Sequence, residues 1–368
     1  MKVSVIIPIY NAMEYLPISL EKVLNQTYHN IEILLVDNNS KDGSYDYIKT
    51  LEKNDCRVKA LIATMQGPNY ARKVGFEAST GDYVLFCDSD DFVEQDAIEN
   101  FVGKLEETNA DIVIGNYKEV TKKDEFLKEK KGIPYKYYSE NLKEHKDIIH
   151  IKPALWNKIF KRDLIKESFF ITSKIGEDMV ITISSIMEAK NIAYMDKTVY
   201  HYVPNDEGLS NSVNVRNLLD ILTTTEELKK IAKSQNTYSK YEEEIEFLCF
   251  THVIYKILRT VMMENDEERI EVYTKLREYL KKNHKYKETK YYRTKMYYKI
   301  AAVLLMNKNI YNLRFPSLNK NMILLLISQV IIIIYYGFNT YSSPIAQSIH
   351  LFYSIILIIC FSSLNTQN

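Results

Sequence analysis

The chain has 368 residues, room for one large domain and a smaller one, and its 48 Lys and Arg balance 48 Asp and Glu. The balanced total names no partner, and no nucleic-acid partner is expected. Four cysteines, Cys56, Cys87, Cys249 and Cys360, lie far apart without paired spacing, which excludes a disulfide scaffold and suits a reducing, cytosolic setting. The charge is unevenly spread. Residues 281–320 hold eleven Lys and Arg against one acid, Glu288, and no Asp, Glu, Lys or Arg follows Lys320.

Ser4 to Ile7 reads as a buried parallel strand. Val3 to Tyr10 is too short for a signal peptide, is broken by Pro8 and lacks a small-residue cleavage site. Asn11 is expected to cap a helix with Glu14 as its capping-box partner, and Leu16, Leu20, Val23 and Leu24 recur at helical spacing. Strands are expected at Ile31–Val36, ending on Asp37, and at Val58–Ile62. A polar turn from Asn38 to Ser44 leads into a helix carrying Ile48 and Leu51. A helix from Asn69 to Ala78 stops before Gly81. A strand over Asp82–Cys87 precedes Asp88-Ser89-Asp90-Asp91, then come a helix to Thr108 and a strand at Asp111–Gly115.

Residues 117–150 look like surface excursions. Ala154–Ile165 and Asp178–Ala189 read as helices, Ile192–Tyr202 as a strand, and 215–280 as strongly helical. Strands alternating with helices imply βαβ units, a mostly parallel sheet and right-handed crossovers. Tyr10, Asp37 and Asp88 each lie just past a strand's carboxyl end, where such sheets bind nucleotides. Residues 321–338 and 345–363 are two apolar stretches, each close to the ~20 residues of a bilayer span. The basic flank before them assigns that side to the cytoplasm. Tyr286, Tyr291, Tyr292, Tyr297 and Tyr298 among these basic residues suit an anionic headgroup layer. The competing readings are a solvated helix for 281–300 and a buried helical hairpin within an oligomer for the tail.

The acidic turn is the most telling feature. Carboxylates packed as closely as Asp88, Asp90 and Asp91 repel, and a hard divalent ion with oxygen ligands resolves that repulsion. A helix cap before Glu94–Thr108 accounts for one or two of them, not all three. No glycine-rich loop follows the first strand, which counts against a dinucleotide dehydrogenase and a P-loop NTPase.

Four elements, in order and in register, carry a resemblance. They are Ser4-Val5-Ile6-Ile7-Pro8-Ile9-Tyr10-Asn11, Val36-Asp37-Asn38-Asn39-Ser40-Lys41-Asp42-Gly43-Ser44, Ala71-Arg72-Lys73-Val74-Gly75, and Gly81-Asp82-Tyr83 with Asp88-Ser89-Asp90-Asp91. Gly176-Glu177-Asp178 is a fifth. Over roughly residues 1–210 the chain resembles the inverting family 2 glycosyltransferases of the GT-A fold. The resemblance implies an α/β, GT-A type nucleotide-binding domain over 1–213 with a mostly parallel central sheet. A helical, basic, membrane-proximal region over 214–320 and an apolar helical hairpin over 321–363 follow.

It also implies roles. Pro8 and Tyr10 would flank the base of a nucleotide-sugar, with UDP favoured because Asp37 can accept from uracil's N–H; a loop cap is the alternative for Asp37. Arg72, Asp88 and Ser89 would contact the base, diphosphate or ribose, while an ordinary solvated helix arginine is the other reading of Arg72. Asp90, with Asp88 and His201, would hold Mn²⁺ or Mg²⁺. Asp178 would be the catalytic base and Glu177 an acceptor contact, although both also suit helix capping. Trp156 of Trp156-Asn157-Lys158 stands between an acceptor-stacking and a core role. The stretch Tyr200 to Ser210 departs from the family, with Val203 and Asn205 where arginines are usual. The expected function is transfer of a sugar, hexosyl or N-acetylhexosaminyl, to a glycan or lipid-linked acceptor. The setting is bacterial cell-surface or capsular polysaccharide synthesis at the cytoplasmic face of the membrane. A nucleotidyltransferase and a non-catalytic membrane scaffold are the rivals, and an oligomer stays open.

Overall fold

The computed structural model describes residues 1–134, 142–173, 175–204, 214–262 and 267–306. Its centre is a run of β-branched and aliphatic residues. Strands β1 (Val3–Ile9) and β2 (Ile31–Asp37) are buried at every position and pair in parallel with Val5 opposite Ile33. Strands covered on both faces carry such continuous apolar runs. β3 (Val58–Ile62) extends the sheet beyond β2, and β4 (Tyr83–Phe86) lies on the other side of β1. These four strands are parallel, so Tyr10, Asp37 and the turn after Phe86 all emerge at one edge.

The first helix starts later than the Asn11 cap requires. Asn11 has a left-handed φ of 46°, and its Oδ1 accepts from the Lys41 backbone N–H at 2.8 Å. α1 (Leu16–Leu24) begins with Pro17 in its first turn, where a missing N–H breaks no helical hydrogen bond. Glu14 stands 3.8 Å from Lys122 instead of closing a capping box. α2 (Ser44–Asn54), α3 (Pro68–Ala78) and α4 (Ala97–Thr108) follow the expected pattern.

Beyond β4 the sheet is mixed, not mostly parallel. Its order is β3-β2-β1-β4-β8-β6-β9-β5, with β7 attached to β6. β5 (Phe92–Val93) pairs antiparallel with the end of β9 (Ile192–Tyr202). β6 (Ile112–Val120) runs parallel to β9, and its outer half forms a hairpin with β7 (Phe126–Lys130). β8 (Lys158–Lys161) fits antiparallel between β4 and β6. The helix expected over Ala154–Ile165 is therefore a strand and short turns. Ile159 and Phe160 are fully buried between neighbouring strands, and that tertiary gain overrides a local helical spacing. Residues 117–150 are not mere surface excursions either: they supply that hairpin and the buried Leu142, Ile148 and Ile149.

α5 (Glu177–Glu188), α6 (Asp220–Ser234), α7 (Tyr238–Met262), α8 (Glu267–Lys282), α9 (Lys290–Thr294) and α10 (Met296–Leu305) cover one face of the sheet. Ile6, Val84 and Phe160 of the strands share one apolar core with Leu228, Ile254 and Leu276 of the helices. Of the tyrosines expected at a lipid headgroup layer, Tyr286 and Tyr298 are buried in this core and Tyr291 and Tyr292 pack against it, while the Tyr297 side chain lies outside the described residues. Tyr286 stacks on Phe250 at 4.3 Å between ring centres, Tyr291 lies 5.3 Å from Phe247, and Tyr298 meets Phe247 edge-on at 4.9 Å. Among the described residues no helix is long and apolar enough to cross a membrane. The stretches 321–338 and 345–363 lie outside the described residues.

Candidate active site

The site is built at the carboxyl edge of the parallel strands. Pro8 is buried in β1 opposite Val36, and Tyr10, the residue after β1, is 49% exposed. Asp37 ends β2 and is buried. Its Oδ2 accepts from the Ser40 N–H at 3.2 Å, while buried Oδ1 has no hydrogen-bond partner in the protein. A buried carboxylate oxygen left unsatisfied is costly unless a ligand donor meets it. The Asn38 side chain shapes the neighbouring loop: its Oδ1 accepts from Gly67 N–H at 2.6 Å, and its Nδ2 donates to Met65 O at 2.7 Å.

Arg72, on the buried face of α3, joins the remaining groups. Nη2 donates to Asp88 Oδ1 at 2.9 Å, Nη1 donates to Glu177 Oε1 at 3.3 Å, and Nη1 stands 3.1 Å from Asp178 Oδ1. Burial works against the arginine's charge, but the three carboxylates outweigh it and keep the guanidinium protonated. The solvated-arginine reading is thereby replaced. Asp88, Ser89 and Asp90 are half-buried on the turn after β4, whereas Asp91 is buried. Asp91 does not cap α4; its Oδ1 accepts from the Val203 N–H at 2.7 Å. Burial first, then Asp90 and Asp88, push the Asp91 carboxyl well above its usual range, as a surplus of negative charge requires.

Glu177 and Asp178 open α5. Gly176 before them has φ +79°, and a Cβ there would stand 3.2 Å from Thr224 Cγ2, so the tight entry into the helix suits glycine. Burial, aided by Asp178 and opposed by Arg72, lifts Glu177 to about 7. Enclosure by protein likewise raises Asp178, with Arg72 opposing and Asp88 adding to the rise. A carboxylate raised toward neutrality is a better proton acceptor at physiological pH.

His201 is not brought to the acidic turn as a metal ligand. It is buried, with Nε2 2.6 Å from Glu94 Oε1 and Nδ1 2.5 Å from Asp124 Oδ1. Both ring nitrogens face these carboxylates, so the expected set of Asp88, Asp90 and His201 is corrected. Among the described residues no group of three His, Cys, Asp or Glu side chains is arranged to hold a metal ion. Asp88 and Asp90 nevertheless offer hard oxygen donors on one turn with surplus negative charge. That donor set fits a divalent ion which completes its ligands with phosphate and water oxygens.

The sequence assigns no role to Tyr200 or Lys158, which lie with Trp156 in an aromatic and lysine layer beside this turn. Trp156 is buried, parallel to Tyr200 at 4.7 Å and to Tyr202 at 5.6 Å, with Tyr117 edge-on at 4.7 Å. Its role is therefore core support. Tyr200 OH accepts from the Asp88 N–H at 3.0 Å, which ties the layer to the acidic turn. Fully buried Lys158 donates to Lys152 O, Ala154 O and Asn157 Oδ1 at 3.1, 2.7 and 2.7 Å. The alternation of Tyr200, His201 and Tyr202 along a strand was the available signal.

A parallel sheet edge, an acidic turn, and an arginine-linked carboxylate pair at a helix start define a GT-A type glycosyltransferase domain. Comparison with known proteins agrees. The model of Glycosyl transferase family 2 matches residues 4–169. The poly(ribitol-phosphate) beta-N-acetylglucosaminyltransferase TarP of Staphylococcus aureus is 31% identical over 254 residues, covering 66% of this chain and 75% of TarP. GlyA of Streptococcus pneumoniae, a glycosyltransferase, is 33% identical over 217 residues, 55% of this chain; the match spans only 30% of GlyA's length. The structure of S. aureus TarS 1–349 in complex with UDP-GlcNAc superposes with a TM-score of 0.52 at 18% identity, over 87% of this chain and 93% of that one, a likeness of fold. The chain belongs to glycosyl transferase family 2.

Proposed function

We propose that this chain transfers a sugar, with inversion, from a nucleotide-sugar to a hydroxyl of a glycan or lipid-linked acceptor in bacterial surface polysaccharide synthesis. The observation that carries the reading is the Arg72 junction, which holds the donor-side Asp88 and the α5 carboxylates Glu177 and Asp178 in one rigid unit. UDP is the favoured nucleotide because the unsatisfied Asp37 Oδ1 offers an acceptor for an N–H of the base. The TarS structure, a complex with UDP-GlcNAc, supports this choice.

In this reading Pro8 and Tyr10 frame the base, and Asp88 and Ser89 face ribose and diphosphate. A divalent ion held by Asp88 and Asp90 would act as a Lewis acid on the leaving diphosphate. Asp178 takes the proton of the acceptor hydroxyl as that oxygen attacks the anomeric carbon from the face opposite the departing diphosphate. Arg72 keeps Asp178 oriented, and Glu177 lines the acceptor side. The uncharged apolar stretches 321–338 and 345–363, behind the basic segment 281–320, support placement at the cytoplasmic face of the membrane. The test is a panel of nucleotide-sugars offered to membranes containing the chain, with release of nucleoside diphosphate measured. Release from no donor, with wild type and Asp178→Asn alike, would overturn the reading.

A further inference from the structure

We infer that Lys152 supplies the protein's own positive charge to the donor's diphosphate, a binding role that rests on the nucleotide-sugar reading above. A leaving diphosphate needs cations beyond a single metal ion. The stretch Tyr200 to Ser210 contains no Lys or Arg, and its Val203 N–H bonds Asp91 of the acidic turn. Nearby cations are already engaged. Arg72 is shared among Asp88, Glu177 and Asp178. Lys158 is buried against three oxygens, and His201 lies between Glu94 and Asp124.

Lys152 differs. It is exposed, and its Nζ has one hydrogen bond, to Tyr117 OH at 3.3 Å. Among the described residues no carboxylate lies within ion-pair distance of it. Its ammonium stands 4.6, 4.7 and 4.8 Å from the ring centres of Tyr117, Trp156 and Tyr202. Those rings fix its position relative to the acidic turn. Trp156 stacks on Tyr200, whose hydroxyl accepts from the Asp88 N–H at 3.0 Å, and Tyr202 precedes Val203, whose N–H bonds Asp91 at 2.7 Å.

The backbone under Lys152 is pinned as well. Lys158 Nζ donates to its carbonyl at 3.1 Å, and Thr182 Oγ1 donates to Pro153 O at 2.9 Å. Thr182 lies one helical turn beyond Asp178 on α5, so the Lys152 loop is docked on the helix that carries the proposed base. Burial lowers the Lys152 ammonium to about 8, opposed by Glu119, Asp91 and Asp178, so it keeps most of its charge at neutral pH. The aromatic rings hold the cation without neutralising it, and a phosphate oxygen can replace the phenol as its partner.

The test compares uridine with UDP by calorimetry at fixed Mn²⁺, in wild type, Lys152→Gln and Lys152→Arg. Lys152 is exposed, so both variants should fold, and a thermal melt verifies that. The expected result is unchanged uridine affinity and about tenfold weaker UDP binding in Lys152→Gln, the size of a lost charge-assisted hydrogen bond, with Lys152→Arg close to wild type. Unchanged UDP affinity in Lys152→Gln overturns the inference. If inorganic phosphate added to the UDP complex then binds wild type but not Lys152→Gln, the lysine serves an anionic acceptor instead. Failure of uridine and UDP to bind wild type would overturn the nucleotide reading itself, and this inference with it.

Discussion

Arg72 Nη1 stands 3.1 Å from Asp178 Oδ1, while Nη2 of the same guanidinium donates to Asp88 at 2.9 Å. A residue of α3 thus couples the end of a sheet strand to the first turn of α5, two elements far apart in the chain. The geometry of the proposed donor and acceptor sides is set by one planar cation. Its five donors in a fixed fork suit that task, and a lysine's single point charge does not.

Arg72→Met should therefore damage stability as well as activity. Removing one partner of a buried ion cluster leaves the others uncompensated, at roughly 3–5 kcal/mol. Urea denaturation should show a loss of that order at pH 8 and a smaller one at pH 5, where Glu177, lifted to about 7, is protonated. A loss below about 1 kcal/mol at pH 8 would mean that the cluster is not stabilised by Arg72.

Asp178→Asn and Asp37→Ala should separate chemistry from binding. Losing a positioned base lowers turnover by about 10²–10⁴-fold. UDP affinity of Asp178→Asn should stay near wild type, because Arg72 still has Asp88 and Glu177. Asp37→Ala should instead weaken UDP binding first. Calorimetry that finds UDP binding abolished in Asp178→Asn would remove that residue from the base role.

Asp90→Asn tests the ion site. Asp90 lies on the turn after β4, two residues beyond Asp88, and is half-buried there. The variant should lose most activity and its dependence on added Mn²⁺ or Mg²⁺ while melting like wild type. Full activity in EDTA would sink the metal role.

Glu177 should make stability depend on pH in a defined window. Its carboxyl is lifted from 4.5 to about 7, mainly by burial. The folded chain therefore holds a proton that the unfolded chain releases, and stability contributed by that proton falls as pH rises from about 4.5 to about 7. Glu177→Gln removes the dependence. Its melting temperature relative to wild type should rise between pH 5 and pH 8; a flat difference across that range would contradict the assignment.

Much of the nucleotide half was legible because its signals are local. β3 was bounded at Val58 and Ile62 by pattern alone, and Asp37 and Asp88 could be placed from the strands they end. The errors fall where distant residues decide. Leu155, Ile159 and neighbouring residues have a helical spacing, but β4 and β6 draw Lys158–Lys161 into the sheet. His201 carries no mark of Glu94 and Asp124, which reach it only when β9 pairs with β5 and the β6–β7 turn folds back. Arg72 could be matched to a motif, but its three carboxylates come from two distant segments.

The tyrosines of the basic segment give the last prediction. Tyr286 is buried, its ring lies 15° from the plane of Phe250 at 4.3 Å, and Tyr292 meets both rings edge-on. Tyr291 OH donates to Glu244 Oε1 at 2.8 Å, linking α9 to α7. Aromatic pairs of this kind add about 0.5–1.5 kcal/mol beyond burial of their area. Tyr286→Ala should thus behave as a core truncation and lower folding stability by roughly 3–5 kcal/mol, as large aromatic deletions do. Replacement by Phe should be nearly silent, since the stack is kept. Denaturation reads the stability loss, and vesicle flotation of the folded fraction should show membrane binding unchanged. Wild-type stability together with lost flotation in Tyr286→Ala would restore the lipid-facing role that the buried geometry replaces.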